Sequence, residues 1–116
     1  MFDRHLLACA LITVMGAAFI AGPALAQGEI RIAHIHSKTG PLEAYGKQTA
    51  TGFMMGLDYA TGGTMTVNGK KLVVLEKDDQ GKPDVGKNLL AQAYGDDKAD
   101  IAVGPTSSGV ALAMLP

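Results

Sequence analysis

The sequence has little cysteine and no excess of either charge. Its single cysteine, Cys9, lies in an apolar N-terminal segment, so a chain cleaved after residue 26 would form no disulfide of its own. The formal net charge is −1 and charged residues make up 18% of the chain. This balance argues against a nucleic-acid-binding surface and against a polybasic membrane patch. A length of 116 residues is that of one small domain.

Residues 1–26 are typical of a secretory signal peptide. Arg4 and His5 precede an apolar run from Leu6 to Ala21, and Gly22-Pro23 ends it. Ala24-Leu25-Ala26 then supplies the small residues that a signal peptidase needs. The alternative is a membrane anchor, but the run is short for a full span. The sequence therefore predicts export and cleavage before Gln27.

Past the leader, strand-like and helix-like patterns alternate. Residues 29–36 predict a strand, residues 42–60 an amphipathic helix, and Asn68-Gly69 a hairpin between strands at 64–67 and 71–76. Further on, the patterns predict a helix over 84–94 capped by Asp84, a strand at 101–103, and a helix that begins among Thr106, Ser107 and Ser108. This order predicts an α/β fold with a parallel sheet.

Ligands of parallel α/β sheets bind beyond the carboxyl ends of the strands. The candidate site therefore lies in the loops 37–45, 78–83 and 104–109. We expect a hydroxyl of the last loop to cap the following helix or, beside its free N–H groups, to hold a carboxylate or phosphate. The apolar strand at 72–75 needs more cover than this chain supplies, so we expect the front part of a larger domain.

One segment nearly matches a nucleotide-binding P-loop. Residues 81–88 follow a strand, but the eighth position is Asn88, where Mg²⁺ needs Ser or Thr. Pro83 also removes one of the backbone donors that the loop would use. In addition, Ser107 and Ser108 lack a nearby base and the strained turn of a nucleophile. The sequence predicts no nucleotide hydrolysis and no enzyme activity.

His34 and His36 lie two residues apart on the first predicted strand, so both side chains face the same way. Such a pair binds metal in some hydrolases, but residues 27–116 contain no third histidine and no cysteine. We expect the two rings to line the end of the sheet or to form hydrogen bonds in a loop, with no metal or cofactor. A secreted metal-dependent hydrolase that uses them is the enzyme alternative.

Asp78 and Asp79 follow a hydrophobic strand, a placement that Mg²⁺ sites and phosphoacceptor sites use. Solvated carboxylates are also common in loops. We expect a structural role in the turn, with Asp79 near its apex.

Taken together, these residues resemble the periplasmic substrate-binding proteins of ABC transporters, of the leucine/isoleucine/valine-binding (branched-chain amino acid) type. The matching positions, in the family's order, are Ile30-Arg31-Ile32-Ala33, Thr39-Gly40-Pro41, Tyr45-Gly46, Lys77-Asp78-Asp79, Pro83, Gly104 and Ser107-Ser108. Residues 37–46 and 103–116 are closer to a subgroup that includes binders of aromatic and other organic acids.

The resemblance implies the type I periplasmic binding protein fold, a sandwich of parallel sheets and helices in two lobes. Residues 27–116 would form the N-terminal part of the first lobe. It implies a periplasmic, non-enzymatic protein that binds an amino acid or small organic carboxylate and delivers it to the permease subunits. Ser108, with Ser107 or Thr106, would hold the ligand's carboxylate, and Tyr45 would form a wall of the pocket. The alternative on the same fold is a ligand-sensing ectodomain, which an uncleaved leader would tether.

Overall fold

The computed structural model describes residues 28–115. The predicted signal peptide and Cys9 lie outside these residues. The elements in chain order are β1 (Glu29–His36), α1 (Glu43–Thr61), β2 (Thr66–Val67), β3 (Lys70–Asp78), α2 (Pro83–Gly95), β4 (Ile101–Val103) and α3 (Ser108–Met114). Among residues 28–115, no helix is both long and apolar enough to cross a membrane.

The four strands form one sheet in the order β2-β3-β1-β4. β1 runs parallel to β3 on one side and to β4 on the other, while β2 pairs antiparallel with β3. The predicted α/β fold is confirmed, and the hairpin makes the sheet mixed. Because β1 lies between two parallel strands, its carboxyl end is the centre of the edge at which ligands bind in such folds.

The β2–β3 hairpin turns at Asn68-Gly69, as predicted. Both residues have positive φ, 48° and 75°, which is the backbone of a two-residue turn that matches the twist of paired strands. The first strand of the hairpin is shorter than predicted, because only Thr66 and Val67 pair with β3. Met65 has a φ of 50°, and this left-handed residue interrupts the extended backbone before Thr66.

Alternation along β1 divides its side chains between two covered faces. One face carries Ala33, which packs with Ala93 of α2 and with Ala99 in a small alanine core. The opposite face carries His34, whose ring meets the ring of Phe53 on α1 at 4.7 Å between centroids. The sheet thus separates α1 from α2, as in a layered α/β domain.

The start of α2 differs from the prediction. Its N-cap is Lys82, without a side-chain capping hydrogen bond, and Pro83 occupies the first turn. Proline suits that position because its fixed φ matches a helix and the missing N–H would be unpaired there. Asp84 therefore lies inside the first turn rather than at the cap, where its carboxylate still favours the positive end of the helix.

Candidate ligand-binding site

Three loops follow the carboxyl ends of β1, β3 and β4, and Ser37 joins all three. Its backbone N–H donates to the Thr106 hydroxyl at 3.2 Å, and its own hydroxyl donates to Oδ1 of Asp79 at 2.7 Å. Ser37 is fully buried. The predicted meeting of the three loops is confirmed, and a single small side chain connects them.

Asp79 is fully buried beneath this junction and is not a solvated residue at the apex of the turn. Its Oδ1 accepts from the Ser37 hydroxyl and from the Gly81 N–H at 2.8 Å. The expected structural role fits these contacts, but Asp79 ties β3 to β1 rather than shaping an exposed turn. Buried carboxylates need such donors, since an unpaired one is costly to desolvate.

Asp78, one residue earlier, holds the turn that follows β1. Its Oδ1 accepts from the N–H groups of Lys38, Thr39 and Gln80 at 2.9, 3.2 and 3.0 Å. Its Oδ2 accepts from the Thr39 hydroxyl at 2.7 Å. Burial alone would raise the pKa of Asp78, but these donors outweigh it and hold the pKa below its ordinary value.

The loop after β4 approaches β1 so closely that its first residue must be glycine. Gly104 has a φ of +120°, a conformation that residues with a side chain rarely adopt. A Cβ built on Gly104 would overlap the carbonyl oxygen of Ile35. This close approach brings Thr106 within reach of the Ser37 N–H.

The hydroxyl residues after Gly104 differ in their surroundings. The Thr106 hydroxyl is engaged with Ser37. Ser107, one of the three predicted N-cap residues, occupies the N-cap of α3, but its hydroxyl does not make the predicted capping hydrogen bond. Its side chain remains available for another partner. Ser108 is exposed at the first position of α3.

Tyr45, the fourth predicted ligand-binding residue, lies in the first turn of α1 and is 63% exposed. Its helix begins directly after the loop that Ser37 opens. Tyr45 does not belong to the hydrogen-bond network that joins Ser37, Asp79 and Thr106. The structure therefore places Thr106 and Ser107 in the loop after β4, Ser108 at the start of α3, and Tyr45 on the helix after β1.

Below the loops, His34 and His36 stack on each other inside the protein. The ring centroids are 4.3 Å apart at an interplanar angle of 20°, and the two residues are 0% and 2% exposed. None of their four ring nitrogens has a hydrogen-bond partner among the described residues. Of the two expected roles, hydrogen bonding in a loop is wrong, whereas both rings lie near the carboxyl end of β1, which is the end of the sheet.

Glu76 is a third chemical group at this position that sequence reasoning missed. It lies opposite His34 in the register of β3 and β1, and it accepts from the Lys38 ammonium at 2.8 Å. The ligand atoms of His34, His36 and Glu76 all lie within 4.8 Å of one another. Only the pairing register brings Glu76 here, because in the sequence it simply follows the apolar run 72–75 and precedes Lys77 and Asp78.

The charges of this cluster are partly balanced. Burial and the neighbouring His36 lower the pKa of His34, and Glu76 opposes them in part. The hydrogen bond and charge of Lys38 hold the pKa of Glu76 below its ordinary value, against the opposing effect of burial. Neutral imidazole is thus favoured at His34 and carboxylate at Glu76.

Comparisons with known proteins agree with this architecture. A family profile described as "Periplasmic binding protein" matches residues 29–116. The Leu/Ile/Val-binding protein BraC3 of Rhizobium johnstonii is 35% identical over 103 residues, which cover 87% of this chain and 27% of BraC3.

Two solved structures are similar as well. An ABC-type branched-chain amino acid transporter protein of Rhodopseudomonas palustris CGA009 is 65% identical, with a TM-score of 0.75, over 76% of this chain and 24% of that one. A solute-binding protein of an ABC transporter from Rhodopseudomonas palustris BisB5, in complex with 3,4-dihydroxybenzoic acid, is 31% identical with a TM-score of 0.64, over 73% of this chain and 23% of that one. The chain spans about a quarter of the length of these proteins.

Proposed function

The chain belongs to the periplasmic binding protein family, and from that premise we propose that it recognises a small solute in the periplasm for an ABC uptake transporter. The similar proteins are named as binding or transport proteins and not as enzymes. In this proposal the protein binds its solute without chemical change, needs no cofactor, and passes the solute to permease subunits. Residues 1–26 would serve as the export signal.

The proposed ligand is an amino acid of the branched-chain type or a small aromatic or other organic acid. A leucine, isoleucine or valine molecule and 3,4-dihydroxybenzoic acid, the ligands in the names of two similar proteins, share one feature, a carboxylate. A site that recognises this shared group needs several well-placed donors. The carboxyl edge of the sheet offers hydroxyl donors beside the junction at Ser37.

The observation that carries the proposal is the Ser107 hydroxyl, which occupies a capping position without capping. With the exposed Ser108, it supplies two hydroxyl donors for a carboxylate. The Thr106 oxygen accepts from Ser37, but its own O–H can still donate. Each hydrogen bond to a charged carboxylate is worth about 1.5–3 kcal/mol. The exposed ring of Tyr45 would form an apolar wall with a polar tip.

The carboxylates at this edge accept hydrogen bonds from the surrounding loops, an arrangement that suits binding rather than catalysis. Asp78 and Asp79 accept hydrogen bonds that hold the loops after β1 and β3 in place, and the Ser37 N–H holds the loop after β4 through Thr106. Loops preorganised in this way lose less freedom when a ligand binds, which favours affinity.

Isothermal titration calorimetry on the full-length protein tests the proposal. The ligands are leucine, isoleucine, valine, benzoate and 3,4-dihydroxybenzoate, each compared with its carboxamide. We expect at least one acid to bind and its amide to bind far more weakly. Ser108→Ala should weaken binding of that acid by about 10- to 100-fold, corresponding to about 1.5–3 kcal/mol.

Thr64→Ala is the matched control, since this hydroxyl lies between α1 and β2, at the opposite end of the sheet. It should leave the affinity unchanged. Binding that is equal for acid and amide, or that is insensitive to Ser108→Ala, would contradict the proposed carboxylate site. Failure of every ligand to bind would contradict the proposed solute class.

A further inference from the structure

We propose that His34, His36 and Glu76 form a binding site for a divalent transition-metal ion of the Zn²⁺ type, beneath the ligand-binding edge. The three residues supply two imidazoles and a carboxylate from two adjacent parallel strands. Their ligand atoms all lie within 4.8 Å of one another. This set of nitrogen and oxygen ligands suits zinc and its neighbours among the transition metals better than Mg²⁺ or Ca²⁺, which prefer oxygen alone.

The strongest support is the state of the histidine nitrogens. All four are buried and lack a hydrogen-bond partner among the described residues. Buried polar groups without partners destabilise a fold, so such groups in a native protein call for a missing partner. A metal ion bound by one nitrogen of each ring would supply a partner to both residues at once.

The strands bring the three side chains together. His34 and His36 face the same way because they are two residues apart on β1, and Glu76 lies opposite His34 on β3. A tetrahedral zinc ion with bonds of about 2.0–2.1 Å needs ligand atoms about 3.3 Å apart. A pair at the 4.8 Å limit would therefore close by about 1.5 Å. Because an imidazole lone pair lies in the plane of its ring, at least one ring of the 20° stack must also turn to face the same ion.

Lys38 would compete with the metal ion for the carboxylate of Glu76. Its ammonium donates to Glu76 at 2.8 Å, and the two side chains are 43% and 37% exposed. An exposed ion pair of this kind contributes little stability and breaks easily. Metal binding would replace the ammonium with a more highly charged partner, while solvent beside Glu76 would supply water as the fourth ligand.

The test is calorimetric titration of the full chain, prepared without an affinity tag and stripped of metal by a chelator, with Zn²⁺ and separately with Mg²⁺. We expect one Zn²⁺ per chain, a rise in the melting temperature with Zn²⁺, and no binding of Mg²⁺. Co²⁺ at the same site should give the visible absorption of a tetrahedral complex.

Two variants locate the ion. His36→Phe keeps a ring in the stack but removes both nitrogens, and Glu76→Gln keeps the size and the hydrogen bond to Lys38. Each should weaken Zn²⁺ binding by about 100-fold or more, exceeding the 10- to 100-fold typical for loss of a supporting group. In the absence of metal, His36→Phe should melt at or above the temperature of the original protein, because two unpaired buried nitrogens are gone.

Glu43→Gln is the matched control for Glu76→Gln, since Glu43 also pairs with a lysine, Lys47, on the surface. It should leave Zn²⁺ binding unchanged. Absence of Zn²⁺ binding, binding that survives both His36→Phe and Glu76→Gln, or equal binding of Mg²⁺ would each overturn the proposal.

Discussion

The buried hydrogen bond between Ser37 and Asp79 should be a principal support of the ligand-binding edge. Asp79→Ala removes the acceptor of two hydrogen bonds, at 2.7 Å from the Ser37 hydroxyl and at 2.8 Å from the Gly81 N–H. At about 1.5–3 kcal/mol for each bond to a charged group, the two bonds amount to about 3–6 kcal/mol. Because the buried Oδ2 of Asp79 has no partner among the described residues and its removal offsets part of this loss, we expect the free energy of unfolding to fall by about 3–5 kcal/mol. That is a large part of the stability of a typical domain.

The assay is urea unfolding followed by circular dichroism, since the chain has no tryptophan for fluorescence. A double-mutant cycle with Ser37→Ala isolates the bond between the two side chains. Ser37→Ala should lower the free energy of unfolding by about 1–3 kcal/mol. The double variant should lose less stability than the two single variants lose when their effects are added. The difference, the coupling energy, should be about 1–2 kcal/mol.

Thr61→Ala provides the control cycle, because its hydroxyl donates to Leu57 within α1 and has no partner in common with Asp79. Its effect should add to that of Asp79→Ala within about 0.5 kcal/mol. A coupling energy between Ser37 and Asp79 that is no larger than this would refute the argument. The loops would then be held together by something other than this bond.

Three further predictions follow from the same edge and its supports. Gly104→Ala should reduce stability by at least about 3 kcal/mol in urea unfolding, because strain at a positive φ of +120° adds to overlap with the Ile35 carbonyl. Val110→Ala should cost about 2–3 kcal/mol in the same assay, since Val110 is fully buried, whereas Leu112→Ala at 70% exposure should change stability by less than about 0.5 kcal/mol. Because the folded pKa of Asp78 lies below its unfolded value, the stabilisation of the fold by its carboxylate should be complete above about pH 5 and lost as the pH falls through the folded pKa. Urea unfolding of chelator-treated protein at a series of pH values should therefore show an acid-sensitive loss of stability that Asp78→Asn lacks.

The elements themselves could be predicted because their signals are local. β1 follows from the short isoleucine-rich pattern over residues 29–36, and the hairpin follows from Asn68-Gly69, which adopts the required positive φ values. The strand order was not predictable in this way. It depends on where the chain crosses the sheet, so the central position of β1 is a tertiary result.

The parts of the site that sequence reasoning missed depend on contacts between distant residues. Ser37 and Asp79 are 42 positions apart, and no local pattern indicates that their side chains bond. Glu76 likewise meets His34 only through the register of two parallel strands. By contrast, the loops that contain the site were predictable, because the carboxyl ends of parallel strands always share one edge.

Several departures from local rules lie at or just below this edge, and others lie elsewhere, such as the positive φ of Met65 before the hairpin and the buried Nε of Arg31, which lacks a hydrogen-bond partner among the described residues. Ser107 holds a capping position without capping, Asp79 is a buried carboxylate, and the His34–His36 pair is buried with unpaired nitrogens. Far from the edge, the hairpin turn obeys its local signal. Sequences that specify a fold keep local and tertiary preferences consistent, and they depart from that consistency mainly where binding or chemistry requires it. Of those near the edge, the uncapped serine adjoins the proposed carboxylate site and the unpaired histidines form the proposed metal site.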